Sequence, residues 1–473
     1  MQDAYAAYGM EHPDFVLLKE KDRRSICCLL LDGAADDALG ALAPMNEFHV
    51  YRCGGQTAVL LCLPEEEDFL GRLEEQLARL GLCAGLSGPF ALAQSAHGCM
   101  RKAQIALETG RRLAPGRALY PMDEFGEAAL LLAAKDTLAR EGFEAGDYCD
   151  AAIDQMRRMD RETGTQYARS LHAYLNHGLD LRRASEALAV HRNTLAYRMR
   201  RVQELFGLDL ENVNTCFELL FSFWLSEYLP EGQQIDREAP FDAAAAERAL
   251  FACVQRRAGL TEVFCAGFAV RLLAVGVSAL ADEERTRLLL ALRRMAPVQC
   301  ACAFDDDVIY FALPSDAFEA FERSGRSLWE MKGCRAAATQ PFPASRLAKR
   351  AALCKMALRA SGARYIRTQD IASTLLFMTL ERSFSLAPYL CEDVIRVMDE
   401  DAVRGSSLSR SLYAYLLYFR DMKHAAANLD MHRNTMEYQL RKIDALVGKP
   451  AGEKQRFLMM CTFKMLALPD DHE

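Results

Sequence analysis

Two rhythms of apolar residues alternate along the chain. Continuous apolar runs bounded by turn residues, the pattern of a buried strand, occur at 25–33 (SICCLLLDG) and 57–64 (TAVLLCLP), and again at 268–277 (FAVRLLAVGV) and 308–314 (VIYFALP). An acidic segment of helical period follows the second run of each pair, EEEDFLGRLEEQLARLG and SDAFEAFERSGRSLWEMKG. Then come a short apolar segment with a turn (LCAGLSGPF, CRAAATQPF) and a helical pattern ending at glycine, MRKAQIALETG at 100–110 and RAALCKMALRASG at 350–362. Strand runs alternating with amphipathic helices predict a mixed α/β layer in each half.

From 166 to 228 the pattern is helical throughout. YARSLHAYLNHG places Leu171, Tyr174 and Leu175 at helical spacing and stops at Gly178. LRRASEALA (181–189) predicts a short helix with Ala184 and Leu188 on one face. A turn at Ala189-Val190 leads into a long helix from about Arg192 to Phe206, and CFELLFSFWLSEYL closes the group. A short helix, a tight turn and a longer basic helix make a helix-turn-helix pattern. The pattern recurs: at an offset of 241, Arg169–Arg201 aligns without a gap with Arg410–Lys442, and 15 of 33 positions are identical. The chain therefore reads as a tandem duplication. Its break is LPEGQQIDREAPFD (229–242), two prolines and several charges without apolar period, as expected of an exposed linker.

The wheel of the long helix divides the repeat by role. At 100° per residue, Leu195, Met199, Val202 and Phe206 share one face, and Met436, Leu440, Ile443 and Val447 take their places in the second copy. These positions vary within the apolar class, as packing allows. The opposite, polar face holds Asn193, Thr194, Tyr197, Arg200 and Arg201 in one copy and Asn434, Thr435, Tyr438, Arg441 and Lys442 in the other, the first four identical. Packing demands nothing there. Asn presents paired donor and acceptor groups to a base edge, Thr and Tyr hydroxyls reach phosphate, and Arg and Lys neutralise phosphate or read guanine. His191 and His432 precede the helix nearer its apolar side, which suits capping or packing better than base reading.

Composition modifies this picture little. The 473 residues are half apolar and about a quarter charged, with net charge −8, so basic character must be local. It is local, and unequal. Asp180–Val202 carries six basic residues (Arg182, Arg183, Arg192, Arg198, Arg200, Arg201) against two acidic, net +4. Asp421–Ile443 carries four (Lys423, Arg433, Arg441, Lys442) against three acidic, net +1. Glu437 stands where the first copy has Ala196, and Gln439 where it has Arg198. Phosphate neutralisation sets much of DNA affinity, so the first unit is expected to bind more tightly. The sixteen cysteines form no C-x-x-C pair and sit mostly in apolar runs, as reduced core residues would. No apolar run reaches about 18 residues, so no membrane partner is expected, and the chain reads as cytoplasmic.

YLNHGLDLRRASEALAVHRNTLAYRMRRVQELFGLDL resembles the C-terminal helix-turn-helix of the PucR/CdaR family of bacterial transcriptional regulators, through the core HRNT-x-x-Y-x-(hydrophobic)-R-(Arg/Lys) and the upstream YL helix. The lead-ins MDRETGTQYARSLHAYL and MDEDAVRGSSLSRSLYAYL fit as well. The resemblance implies DNA contact by Arg192, Asn193, Thr194, Tyr197, Arg198, Arg200 and Arg201, and by Arg433, Asn434, Thr435, Tyr438, Arg441 and Lys442. It further implies that residues about 20–125 and 255–373 are GGDEF-like domains without cyclase chemistry. Two features depart from the family pattern: the turn positions are Ala189 and Asp430 where many such motifs place glycine, and the unit occurs twice.

The hairpins agree with lost chemistry. Gly54 and Gly55 are followed by Gln56 and Thr57 rather than acid, and Asp305, Asp306 and Asp307 have no glycines beside them. Metal and nucleotide phosphate would need both features, and no Lys-Ser/Thr phosphate loop or nucleophile–base signature appears elsewhere. The expected architecture is thus α+β and multidomain: α/β domain 1–125, helical connector 126–165, first helix-turn-helix 166–228, linker 229–245, α/β domain 246–373, connector 374–406 and second helix-turn-helix 407–468. The expected function is a regulator that binds double-stranded DNA through the third helix of each unit, as a pseudo-dimer within the chain or a homodimer. It has no enzymatic activity, cofactor or metal and leaves room for a small-molecule effector. Two rivals are a signalling protein whose α/β domains bind a metabolite or nucleotide without catalysis, and an interaction scaffold.

Overall fold

The computed structural model describes residues 26–32, 48–53, 56–62, 68–88, 96–228, 240–254, 268–305, 307–448 and 452–468. Gly54, Gly55, Asp306 and most of the linker reading lie outside them.

The first sheet contains β1 (Ile26–Asp32), β2 (Phe48–Cys53), β3 (Gln56–Cys62), β4 (Ala84–Leu86) and β5 (Leu119–Pro121), in the order β2-β3-β1-β4-β5. Only the β4–β5 pair is parallel. The apolar runs are continuous because both faces of the sheet are covered. Cys27, Leu29, Leu31, Val59 and Leu61 meet Phe69, Leu73 and Leu77 of helix α1 (Phe69–Arg79). Cys28, Leu30, Ala58 and Leu60 meet Cys99 and Ala103 of α2 (Ala96–Leu113). The helix backbone lies directly on β4: a Cβ on Gly85 would stand 1.9 Å from the Ala103 carbonyl oxygen. Helix α3 (Met122–Glu141) follows β5.

Next come α4 (Ala151–Thr163), α5 (Tyr167–Asn176), α6 (Leu181–Ala187), α7 (Arg192–Phe206), α8 (Val213–Tyr228) and α9 (Ala243–Val254). The second sheet holds β6 (Ala269–Gly276), β7 (Ala301–Phe304), β8 (Val308–Leu313), β9 (Arg335–Ala338) and β11 (Tyr365–Arg367), with the short β10 (Phe342–Pro343) paired to β6. Its order is β11-β9-β6-β8-β7, and only β9–β11 is parallel. Between the strands lie α10 (Asp282–Met295), α11 (Ser315–Met331) and α12 (Leu347–Ala360), with α13 (Ala372–Glu381) after them. Leu273, Val275, Phe311, Phe318, Phe321 and the fully buried Trp329 form its core.

The remaining helices are α14 (Glu392–Arg404), α15 (Leu408–Leu417), α16 (Met422–Asn428), α17 (Arg433–Val447) and α18 (Glu453–Leu466). The architecture is mixed α and β with two sheets, as the alternating pattern indicates. Each half has more strands than the two long runs suggest, since β4, β5, β9 and β11 have three or four residues each, too short to register a period. Two compact units result, and they do not follow the two halves of the sequence: the described residues of 26–136 go with 380–467, while 137–379 stand together. No helix among the described residues is long and apolar enough to cross a membrane.

Candidate nucleic-acid interface

Capping side chains fix each short helix before the long third helix begins. The Asp160 carboxylate accepts from the backbone N–H of Tyr167 (2.8 Å) and Ala168 (2.9 Å), closing the open start of α5 from the end of α4. Asp401 does the same for Leu408 (2.7 Å) and Ser409 (2.8 Å) at α15. Burial alone would push Asp401 up, but hydrogen bonds from Ser406, Ser409 and Leu408 outweigh it and hold the carboxyl below its usual range. Asp180 caps α6 through the Arg182 and Arg183 N–H groups, and Asp421 caps α16 through Lys423 and His424. The Arg183 and Arg182 N–H bonds depress the Asp180 pKa. His191 Nδ1 accepts from Asn193 N, and His432 Nδ1 from Asn434 N, each at 3.2 Å. Both histidines are exposed N-caps, so of capping and packing the structure selects capping.

The turns bend through left-handed backbone. Ala189 has φ 53° and Asp430 φ 52°, the positions where glycine would be expected. At the end of α5 the chain uses Gly178 and Leu179, at φ 73° and 59°. The second copy places Phe419 and Arg420 there, at 50° and 70°, conformations that cost a side chain about 1–2 kcal/mol each.

The two faces of the long third helix separate as the wheel indicates. Leu195, Met199 and Val202 are buried on α7, and Met436 and Ile443 on α17. Arg192, Asn193, Thr194 and Arg200 are exposed, as are Arg433, Asn434, Thr435, Arg441 and Lys442. Tyr197 is 56% and Tyr438 59% exposed, a large aromatic left in solvent at the same place twice. Arg182 and Arg183 flank this face in loose ion pairs with Glu186 (3.8 Å) and Asp180 (3.6 Å), and Lys423 is exposed. Arg201 pairs with Glu204 at 2.7 Å. Lys442 Nζ sits 4.7 Å from the Tyr438 ring centroid.

Two substitutions between the copies acquire a geometry. Arg198 folds back, its Nη1 donating to Ser170 Oγ at 3.0 Å and to Gln166 Oε1 at 3.3 Å. Gln439 makes the matching tie, accepting from Ser411 Oγ. This position therefore braces α7 against α5 and α17 against α15. Glu437 Oε1 lies 2.6 Å from Arg441 Nη2. Its counterpart position holds Ala196, and the Arg200 side chain makes no ion pair or hydrogen bond among the described residues. Arg441 thus has an exposed carboxylate partner, a surface pair of small energy, that its copy Arg200 lacks.

Elsewhere, Asp305 and Asp307 flank the β7–β8 turn and share Lys355, each 3.0 Å from its Nζ. No group of three or more His, Cys, Asp or Glu among the described residues could hold a metal. The described cysteines are free thiols, ten of them buried. Within 137–379 a cavity of about 580 Å³ is lined by arginines (Arg157, Arg346 and Arg350 among them) and by the carboxylates Glu144, Asp147 and Asp154.

Residues 167–225 and 408–461 each match the profile of the PucR C-terminal helix-turn-helix domain. The chain is 30% identical over 164 residues to the carbohydrate diacid regulator of Escherichia coli (strain K12), covering 34% of this chain and 40% of that protein. It is 28% identical over 120 residues to the DNA-binding transcriptional activator AdeR of Bacillus subtilis (strain 168), covering 25% and 27%. Against the proline-responsive transcriptional activator PutR of the same organism it is 28% identical over 79 residues, covering 17% and 19%. The matches thus span less than half the length of each of these relatives. The profile, met twice on the two bundles whose geometry is given above, shows that the chain carries two helix-turn-helix domains of the PucR C-terminal type, and the three similar proteins are all transcriptional regulators.

Proposed function

We propose that the protein is a DNA-binding transcriptional regulator that reads double-stranded DNA with helices α7 and α17, the first more tightly. The observation that carries this is the pair of exposed Asn-Thr-x-x-Tyr-x-x-Arg faces, at Asn193, Thr194, Tyr197 and Arg200 and at Asn434, Thr435, Tyr438 and Arg441. Each lies at the start of a helix whose first N–H groups favour phosphate. Arg182, Arg183, Arg192, Arg201, Lys423, Arg433 and Lys442 would add backbone contacts, which position rather than specify. Arg198 would act by bracing the reading helix. The unpaired Arg200 against the paired Arg441 supports the difference in strength, beyond the local charges of +4 and +1.

The common strand order and sense of the two sheets support a tandem duplication of a GGDEF-like α/β domain and its bundle, acting in the cytoplasm as a covalent pseudo-dimer. Lys355 already pairs with both Asp305 and Asp307, so this acidic turn is tied up within the fold. The cavity, lined by both arginines and carboxylates, leaves room for a small polar effector. Selection of bound fragments from genomic DNA tests the main reading. Retention of a defined set, with affinity falling steeply with salt, is expected. Failure to retain any fragment at low salt would leave the scaffold reading in its place.

A further inference from the structure

We infer that the two halves of the chain are interlocked: each helix-turn-helix bundle is held by the α/β domain of the opposite half, so a change in one α/β domain is felt by the other half's bundle. In the unit of 1–136 and 380–467, the anchor is Lys102 on α2. It is 2% exposed and ion-paired to Glu392 at the start of α14, itself 7% exposed. Lys102 Nζ also donates to the Leu390 carbonyl at 3.3 Å. These residues are 290 positions apart in sequence. A second tie joins Lys454 of α18 to the buried Glu127 of α3, at 3.6 Å.

The other unit repeats the device with different residues. Arg350 on α12, 4% exposed, donates to the Asp147 carbonyl at 2.9 Å, and its Nε lies 3.2 Å from Asp147 Oδ1. Gln340 donates to the Cys149 carbonyl at 2.7 Å and accepts from Ala151 N at 2.8 Å, clamping the first residues of α4. The buried Glu218 of α8 accepts from Ser373 N at 2.9 Å and from Ser373 Oγ at 2.7 Å. In both units, then, a cation from the helix behind the sheet is buried against the lead-in of the other half's bundle. A buried charge stripped of its partner is strongly destabilising, so each half contributes partners to the buried polar groups of the other. The cavity lies on such a seam, lined by residues 144–161 of one half and 241–350 of the other. A molecule lodged there would act on the lead-in to the first bundle through the second α/β domain.

The interlock stands whether or not the bundles read DNA, and its test uses none. Hydrogen exchange by mass spectrometry on the full chain compares wild type with Gln340→Leu and Lys102→Met. Gln340→Leu is expected to speed exchange in 149–163 by roughly tenfold and to leave 392–404 unchanged. Lys102→Met is expected to do the reverse. Lys102→Met strands a carboxylate and risks unfolding its unit, so the neutral Gln340→Leu decides. Wild-type protection of 149–163 in that variant, or faster exchange in 392–404 instead, would overturn the inference.

Discussion

Ala189 occupies a left-handed backbone position, φ 53°, at an exposed point of the helix-turn-helix turn. Its methyl group buries nothing that would offset the strain. Ala189→Gly should therefore raise the stability of the first bundle by about 1 kcal/mol, read as a higher urea midpoint. Asp430→Gly should gain less, because aspartate tolerates this conformation better. An unchanged or lowered midpoint for Ala189→Gly would show that the turn is not strained. The odd residue at this turn was legible in the sequence. The direction of Arg198 was not, because spacing places a Cβ on a face while four further torsions decide where a guanidinium goes. Nor were Asp160 and Asp401 singled out as caps: they also obey the 241-residue offset, but they lie upstream of the gapless window.

At the scale of the element, the reading helices were the most legible part of the chain, since a 15-residue amphipathic helix carries several turns of period. Helix α5 holds a feature that periodicity does not register. His172 stacks on Phe223, with ring centroids 4.6 Å apart, and burial lowers its pKa from 6.5 to about 4. The fold thus prefers the neutral ring, while the unfolded chain takes up a proton at higher pH. Stability from this residue is complete above pH 6.5 and falls as pH drops from there towards 4. Tyr413 stands at the equivalent place in α15. His172→Tyr should flatten the decline in urea midpoint between pH 7 and 5. Tryptophan fluorescence can follow it, because Trp224 and Trp329, the chain's two tryptophans, both lie within 137–379. An equal decline in wild type and variant would exclude His172 as its source.

For the whole molecule, the alternation of strand and helix patterns announced two sheets and two bundles, yet not how the segments group. An apolar face in the sequence declares that it will be buried, not by which partner, and Lys102 reads like any helix lysine until Glu392 is placed beside it. The same limit applies to charge: a chain of net −8 carries a local basic excess at 180–202, and the two copies differ in single contacts such as Glu437 with Arg441. That difference makes the account testable. Gel-shift titration of the full chain on its selected DNA, with wild type, Arg200→Ala and Arg441→Ala at one salt concentration, addresses it most directly. Arg200→Ala should weaken binding by roughly tenfold or more, and Arg441→Ala by clearly less. Affinity unchanged in both folded variants would contradict DNA reading by these helices, and equal losses would contradict the ranking of the two readers.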